Sequence, residues 1–174
     1  MQYNPLGHTG LNVSRLSFGA SALGGVFRPV DEAQAIRAVH AALDLGINYF
    51  DNDTRLLELL PIALHKGIGI VNGSPFGSGL LTDRGPADWH PADAADRAVF
   101  ASAADYCRQH GTSISQLALQ FSSQNPAIPT TLFSSASAES VQRNVAWHAE
   151  PVAAELLAEV QKLLQPVMNK QWNF

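Results

Sequence analysis

The chain has 174 residues, a formal net charge of −4 and 46% hydrophobic residues, which is ordinary for one globular domain. Its basic residues are scattered, which excludes a phosphate-binding stripe, so we expect no nucleic-acid partner. No apolar run reaches the roughly 18–20 residues that span a bilayer, and the first residues predict no signal peptide. The single cysteine, Cys107, excludes an intramolecular disulfide. We therefore expect a cytoplasmic protein without membrane contact, and a packing role for this thiol.

The first third of the chain predicts a hairpin followed by a strand–helix–strand unit. Turn-forming residues between 2 and 15 indicate a short β-hairpin, and Arg15–Ala20 is typical of a short strand. Asp31 is expected to cap a helix that ends at Gly46, because apolar residues recur between them at helical spacing. Residues 47–51 (INYFD) predict the next strand, which completes the unit from which parallel sheets are built.

The remainder predicts further alternation of helices and strands. In chain order the predicted elements are a helix over 53–67 that Pro61 interrupts, a buried strand over 68–71, a helix over 92–110, a helix from Ser113 or Ser115 to Gln124, a strand over 128–133, a helix over 137–147, and a helix with Pro151 at its first position. A loop rich in glycine and proline separates the strand at 68–71 from the helix at 92. No repeat or linker divides the chain, so we predict one domain over 1–174.

Several segments resemble the aldo-keto reductase family, above all the branch that contains the L-galactose and D-threo-aldose 1-dehydrogenases. The opening YNPLGHTGLNVSRLSFGASALGG is similar to that family's entry hairpin and first strand, and ALDLGINYFD is similar to its second strand. The run LLPIALHKGIGIVNGSPFGSGLLTDRGPADWHP resembles a late-barrel segment. The tail SISQLALQFSSQNPAIPTTLF, with SAESVQRNV, resembles the last barrel helix, the last strand and the nucleotide-binding helix.

The resemblance implies an α/β fold that is a partial (β/α)8 TIM barrel. A full barrel takes about 250 residues, and this chain passes from Asp51 almost directly to what resembles the sixth helix. We therefore predict a single truncated barrel domain with a deletion junction near 51–54. About four parallel strands, the N-terminal hairpin and the C-terminal helices are expected to remain.

The order of the four strands is open from the sequence. Family topology implies the order third, fourth, first, second, whereas a new right-handed crossover would place the third strand beside the second. Four strands cannot close a barrel, since about eight are needed to fill its interior. We therefore predict a homodimer in which each outer strand pairs with the opposite edge of its partner.

The resemblance also implies a mechanism, for which this chain retains one residue. Family members pass a hydride between a nicotinamide and a carbonyl carbon, using a tyrosine as acid/base, a lysine, an aspartate and a histidine. Asp51 fills the aspartate position, and a helix cap or a solvated loop carboxylate is its alternative role. The positions of the other three fall in the missing block or just past its junction. Tyr49 shares a strand face with Asp51 but would lie one layer deeper in the barrel, so it does not replace the missing tyrosine. Because the tyrosine, the lysine and the histidine are all missing, we expect the isolated chain to be inactive.

A predicted cofactor loop follows the third strand. Ser74, Pro75, Phe76 and Gly77 can present backbone N–H groups to a pyrophosphate, and glycine permits close approach. An ordinary turn-rich loop is the alternative that these residues leave open by themselves, and the resemblance favours the cofactor loop.

Further cofactor residues are implied at the last strand and the helix after it. The resemblance places Ser134 and Ser137 at the phosphate-binding start of that helix and Asn144 at the asparagine that reaches the adenine. Ala136 has no charge to pair with a 2′-phosphate. The implied cofactor is therefore NAD or NADP, with NAD preferred.

Three functions remain open from the sequence. The first is an NAD(P)-dependent oxidoreductase of a small sugar or aldehyde, similar to the aldose 1-dehydrogenases and inactive as an isolated chain. The second is a non-catalytic nucleotide-binding half-barrel, and the third is a remnant or interaction module that needs dimerisation or a partner. The six histidines form no HxH or HExxH pattern, so no metal site is predicted.

Overall fold

The computed structural model describes residues 1–19, 31–51, 71–126, 128–168, 170 and 172. The chain divides into two compact units: the first comprises Met1–Pro75 and Ser122–Ala149, and the second comprises Phe76–Phe121 and Glu150–Phe174. A single truncated domain over 1–174 stays a prediction, and its junction beyond Asp51 lies outside the described residues.

The first unit contains the predicted hairpin and a parallel sheet. Strands β1 (Tyr3–Pro5) and β2 (Asn12–Ser14) pair antiparallel. Strands β3 (Leu16–Gly19), β4 (Phe50–Asp51), β5 (Val71–Asn72) and β6 (Thr130–Ser134) form a four-stranded sheet of parallel pairs. Their order is β4-β3-β6-β5, which is the family order and not the order of a new crossover. Strand β6 pairs with the whole length of β3, from Leu16 opposite Thr131 to Gly19 opposite Ser134.

Buried residues on both faces of β3 form the core of this unit. Leu16, Ser17 and Phe18 are fully buried, as expected for a parallel strand that is covered on both sides. The ring of Phe18 meets that of Phe133 edge to face, with centroids 5.9 Å apart. The Ser17 hydroxyl is hydrogen-bonded to the Thr130 hydroxyl, so the polar side chains in this core are paired.

The described helices, in chain order, are α1 (Glu32–Asp44), α2 (Ala94–Gln109), α3 (Ile114–Ser123), α4 (Ala138–Ala149) and α5 (Ala154–Leu163). Short 3-10 turns lie at Gly77–Gly79 and Gln165–Val167. Among the described helices, none is long and apolar enough to cross a bilayer.

The start and end of α1 confirm the predicted cap residues. Asp31 accepts a hydrogen bond from the Gln34 backbone N–H at 2.9 Å, and Gly46, just past the end, has φ of 83°, where glycine is the natural choice. The helix buries its small residues Ala38 and Ala42 completely.

The second unit is built on a cluster of buried residues from α2, α3 and α5, which are Ala103, Ala104, Cys107, Ile114, Leu117 and Val160. Cys107 is fully buried, and burial raises the pKa of its thiol to about 11, which confirms the packing role. The Ser113 hydroxyl accepts from the Gln116 backbone N–H at 3.1 Å, so Ser113 caps α3.

Three predicted boundaries were wrong. The strand predicted over 128–133 covers Thr130–Ser134. The last helix begins at Ala154, not at Pro151, because Val152 precedes it as an irregular residue that packs against the buried cluster. Strand β4 covers only Phe50–Asp51, since the backbone N–H of Ile47 donates to the Ala42 carbonyl and that of Asn48 to the Ser14 hydroxyl. The predicted helix over 53–67 and most of the strand over 68–71 lie outside the described residues.

Candidate cofactor-binding site

The carboxyl ends of three neighbouring strands meet at one edge of the sheet. Gly19 lies opposite Asp51 on one side and opposite Ser134 on the other. In parallel α/β folds ligands bind at this edge. A side chain at position 19 would place its Cβ 3.3 Å from the Phe133 carbonyl oxygen, so the close approach of these strands favours glycine. The side chain of Asp51 lies outside the described part of the chain, and its catalytic role stays a prediction.

Ser134 uses its hydroxyl within the sheet. The Oγ atom donates to the Gly19 carbonyl oxygen at 2.6 Å, which ties the end of β6 to the end of β3. The predicted contact with a phosphate would therefore come from backbone groups of this turn and not from a hydroxyl that is free to reorient.

Ser137 is the N-cap residue of α4. Its hydroxyl accepts from the Ser140 backbone N–H at 3.2 Å and donates to Glu139 Oε2 at 2.6 Å. The Ser137 backbone N–H donates to the Ser135 hydroxyl at 3.1 Å. The bond from Ser137, the backbone N–H of Glu139 itself and the charge of Arg37 lower the pKa of Glu139. An ionised carboxylate thus already stands at the positive end of this helix.

Among the predicted cofactor-binding residues, Asn144 is the one whose side chain is best placed to bind a ligand. It lies on α4, is 3% exposed, and its side-chain amide makes no hydrogen bond to any described residue. An amide both donates and accepts, so a ligand could bond to Asn144 without displacing a bond to a described residue.

The predicted cofactor loop divides between the two units. In the first unit, Ser74 follows β5 with φ of 53°, which a residue other than glycine seldom adopts, and Pro75 after it is buried. In the second unit, the Phe76 carbonyl accepts from the backbone N–H groups of Gly79 and Leu81, both at 3.0 Å. Gly77 has φ of 54° and opens the 3-10 turn. The loop is therefore a succession of tight turns.

Two residues near the start of α4 were missed by the sequence prediction. Gln34 and Arg37, from α1, line a small cavity of about 60 Å³ with Ser137, Ala138 and Glu139. No local pattern could have revealed them, since they lie about a hundred positions earlier in the chain. The described residues contain no group of three or more His, Cys, Asp or Glu side chains that could bind a metal ion.

His148 lies away from this edge, in a groove of about 660 Å³ at the amino-terminal end of the sheet, which Arg15, Ser123, Gln124 and Asn4 also line. Its Nδ1 is 2.9 Å from the Ser123 hydroxyl. Burial, then the charges of Arg15 and the chain's amino group, lower the pKa of His148. The folded state therefore binds the proton less readily than the unfolded state, whose histidine pKa is about 6.5.

This difference predicts an acid-sensitive contribution to stability. As the pH falls below about 6.5, the unfolded state takes up the proton first, so the free energy of unfolding decreases until the pH reaches the folded pKa. Denaturant unfolding at about pH 7.5 and about pH 5 gives the free energy of unfolding at each pH. Its decrease between the two should be smaller for His148→Gln than for the unsubstituted chain. His40→Gln, an exposed position on α1, is the control. Equal losses in the unsubstituted chain and His148→Gln would contradict the assignment.

Comparison with known proteins relates the whole arrangement to one family. A model described as the aldo/keto reductase family matches residues 54–165. L-galactose dehydrogenase from Arabidopsis thaliana is 39% identical over 129 residues, which are 72% of this chain and 40% of that protein. Pyridoxal 4-dehydrogenase from Microbacterium luteolum is 47% identical over 47 residues, 27% of this chain and 14% of that protein. The chain thus spans 40% or less of the length of these relatives.

A solved structure supports the fold. The holo form of an aldo-keto reductase from Bacillus halodurans superimposes with a TM-score of 0.71 at 16% identity, covering 98% of this chain and 99% of that one. The described sheet has parallel strands in the family order without a closed barrel. The chain belongs to the aldo/keto reductase family, and its fold is a partial (β/α)8 barrel.

Proposed function

We propose that this protein is an NAD(P)-dependent oxidoreductase of small sugars or aldehydes by descent, located in the cytoplasm, and that the chain by itself binds the dinucleotide without turnover. The observation that supports the proposal most is the register at the carboxyl edge of the sheet. There Gly19 lies between Asp51 and Ser134, in a sheet whose strand order is that of the family.

The residues at this edge fit a dinucleotide in part. Asn144 would bind the adenine through its amide, and the turn from Ser134 to Ser137 would face a phosphate with backbone N–H groups. The resemblance also assigns pyrophosphate binding to the loop of Ser74, Pro75, Phe76 and Gly77, of which Ser74 and Pro75 belong to this unit. When bound, the nicotinamide supplies the hydride donor or acceptor.

Of the four catalytic positions that the resemblance implies, this chain matches the aspartate alone, with Asp51. General acid/base catalysis contributes about 10²–10⁴ in rate, and a carbonyl that is not positioned loses a further several kcal/mol of proximity. Tyr49 is half-buried, and its backbone carbonyl accepts from the Phe18 N–H at 2.9 Å. In the family geometry that the resemblance implies, Tyr49 lies one layer deeper than the catalytic tyrosine, so we propose no acid role for it.

The charges at the start of α4 favour NAD over NADP. A 2′-phosphate would bring a charge of about −1.5 to −2 toward the ionised Glu139, and Ala136 offers no cation. Glu139→Gln should therefore strengthen NADP binding by roughly twofold to fivefold and leave NAD binding nearly unchanged, as measured by equilibrium titration. Glu155→Gln, at the same place in the first turn of α5, is the matched control. Tighter binding of NADP than NAD by the unsubstituted chain would contradict the preference.

A thermal-shift titration with NAD, run beside the change in nicotinamide absorbance with aldose substrates, tests the proposed function. We expect a rise in melting temperature and no turnover. Turnover would overturn the claim that the isolated chain is inactive. The absence of a shift would overturn dinucleotide binding and favour a remnant that needs a partner.

The same sheet supports a proposal about assembly. Strands β4 and β5 are the outermost strands of the described sheet, and strand edges favour pairing with another chain. A two-fold dimer that joins each outer strand to its partner's opposite edge would give the eight strands of a closed barrel. Light scattering should give a dimer mass at micromolar concentration. A clean monomer that melts cooperatively would rule the dimer out.

A further inference from the structure

The described residues after α5 form a strap that is bonded to α2. We define the C-terminal strap as residues 165–168 with Lys170 and Trp172. Lys170 Nζ donates to Asp96 Oδ1 at 2.6 Å, and Trp172 Nε1 donates to Asp96 Oδ2 at 2.9 Å. Asp96 is 5% exposed and lies in the first turn of α2. Both carboxylate oxygens of one buried residue thus bind the strap.

The strap also supplies part of a small apolar core in the second unit. Leu80, Ala92, Phe100 and Val167 are its buried members, and Trp172 packs against them. The Trp172 ring lies 6.0 Å from that of Phe100, measured between centroids. This core therefore combines residues of α2, of the strap and of the segment around Leu80.

Leu80 is what joins the predicted cofactor loop to this core. Its backbone N–H donates to the Gly77 carbonyl at 3.1 Å, and its side chain is 3% exposed. Between these two residues, Ser78 and Gly79 have φ of 53° and 99°. Such a conformation is unfavourable for serine and persists only where surrounding contacts hold it. The burial of Leu80 in the core is such a contact.

We propose that the C-terminal strap positions the dinucleotide-binding loop, and that Asp96, Lys170 and Trp172 are positioning residues for NAD. This rests on the proposed function, in which Phe76 and Gly77 contact the dinucleotide. Without the strap, the core in which Leu80 packs loses Val167 and Trp172, and the loop spends less time in its tight turns. The measured dissociation constant rises as the fraction of the binding-competent conformation falls.

Two readouts test the proposal. Amide hydrogen exchange in the free chain, followed at Gly79, Leu80 and Leu81, reports the loop directly, and titration reports NAD affinity. Trp172→Ala and Asp96→Asn should each accelerate exchange at these amides by roughly tenfold and weaken NAD by a similar factor. Peptides from β3 and β6 should exchange as before, which separates loop opening from general unfolding.

Conservative and matched variants make the result specific. Trp172→Phe retains most of the ring but loses the bond to Asp96, so its effect should be smaller than that of Trp172→Ala. Lys170→Arg retains the charge of the ion pair, so its effect should also be smaller than that of Trp172→Ala. Lys162→Gln, which removes an exposed ion pair of α5 with Glu159, and Trp147→Phe in the first unit should change neither readout.

The outcomes separate this proposal from the one on which it rests. Unchanged exchange at Gly79 to Leu81 in both Trp172→Ala and Trp172→Phe would overturn the role of the strap, whether or not NAD binds. If the unsubstituted chain does not bind NAD, the proposed function and the effect of the strap on affinity both fail. Faster loop exchange would then establish the strap as a purely conformational restraint.

Discussion

Arg15→Lys is expected to lower the free energy of unfolding by about 3 kcal/mol. The guanidinium is 8% exposed at residue level and donates to three backbone carbonyls: Nε to Ser123 at 2.5 Å, Nη2 to Asn125 at 2.7 Å and Nη1 to Ile128 at 3.0 Å. Lysine cannot reach three acceptors in this fork geometry, so these three carbonyls lose donors in the variant.

Denaturant unfolding measures this loss, and an exposed arginine provides the control. Arg108 pairs with Asp105 on α2, and both side chains are more than half exposed. Because such surface pairs contribute about 0–1 kcal/mol, Arg108→Lys should be nearly neutral. Equal effects of the two substitutions would show that the Arg15 contacts do not stabilise the fold as described.

Phe133→Ala is expected to cost about 3–5 kcal/mol, a large fraction of the roughly 5–15 kcal/mol that stabilises an ordinary domain. Phe133 is 1% exposed and lies on β6, which joins β3 to β5. Its edge-to-face contact with Phe18 adds a term of about 0.5–1.5 kcal/mol beyond area burial. The substitution therefore leaves a cavity at the centre of the sheet.

Phe121→Ala is the matched substitution, because Phe121 is 53% exposed. Its change in the free energy of unfolding should stay within about 1 kcal/mol. If calorimetry found Phe121→Ala as costly as Phe133→Ala, the described core would be wrong.

Local signals in the sequence predicted local structure well. Asp31, Gly46 and Ser113 act within one helical turn of their own positions, so their cap roles could be recognised from neighbouring residues. Pro151 was misleading because the deciding contact, Val152 against the buried cluster, is tertiary. Propensity gives way to packing in such cases.

Contacts between distant parts of the chain could not be predicted from residue patterns. Arg15 binds carbonyls more than a hundred positions later in the chain. Asp96 binds Lys170 and Trp172, which are 74 and 76 positions later. The strand order was likewise open until the resemblance to the family was considered. The sheet has the family order: β3 and β6 pair over four residues, and the described part of β5 pairs with β6 through two.

The predicted cofactor residues differ in how much the structure supports them. Ser134 and Ser137 direct their hydroxyls to backbone and capping bonds, so their contribution to a ligand would come from the backbone. Asn144 makes no side-chain bond within the described residues, and no such bond is lost when it is replaced. This makes Asn144 the position at which a binding role can be separated from a structural one.

Titration of NAD into the unsubstituted chain, Asn144→Ala and Gln142→Ala is accordingly the most direct test of the retained cofactor site. Gln142 is exposed on the same helix and serves as the control. We expect saturable binding that Asn144→Ala weakens roughly tenfold, as for the loss of about 1.4 kcal/mol of interaction, with Gln142→Ala unchanged. No saturable binding by the unsubstituted chain, or equal affinity in all three, would contradict the account.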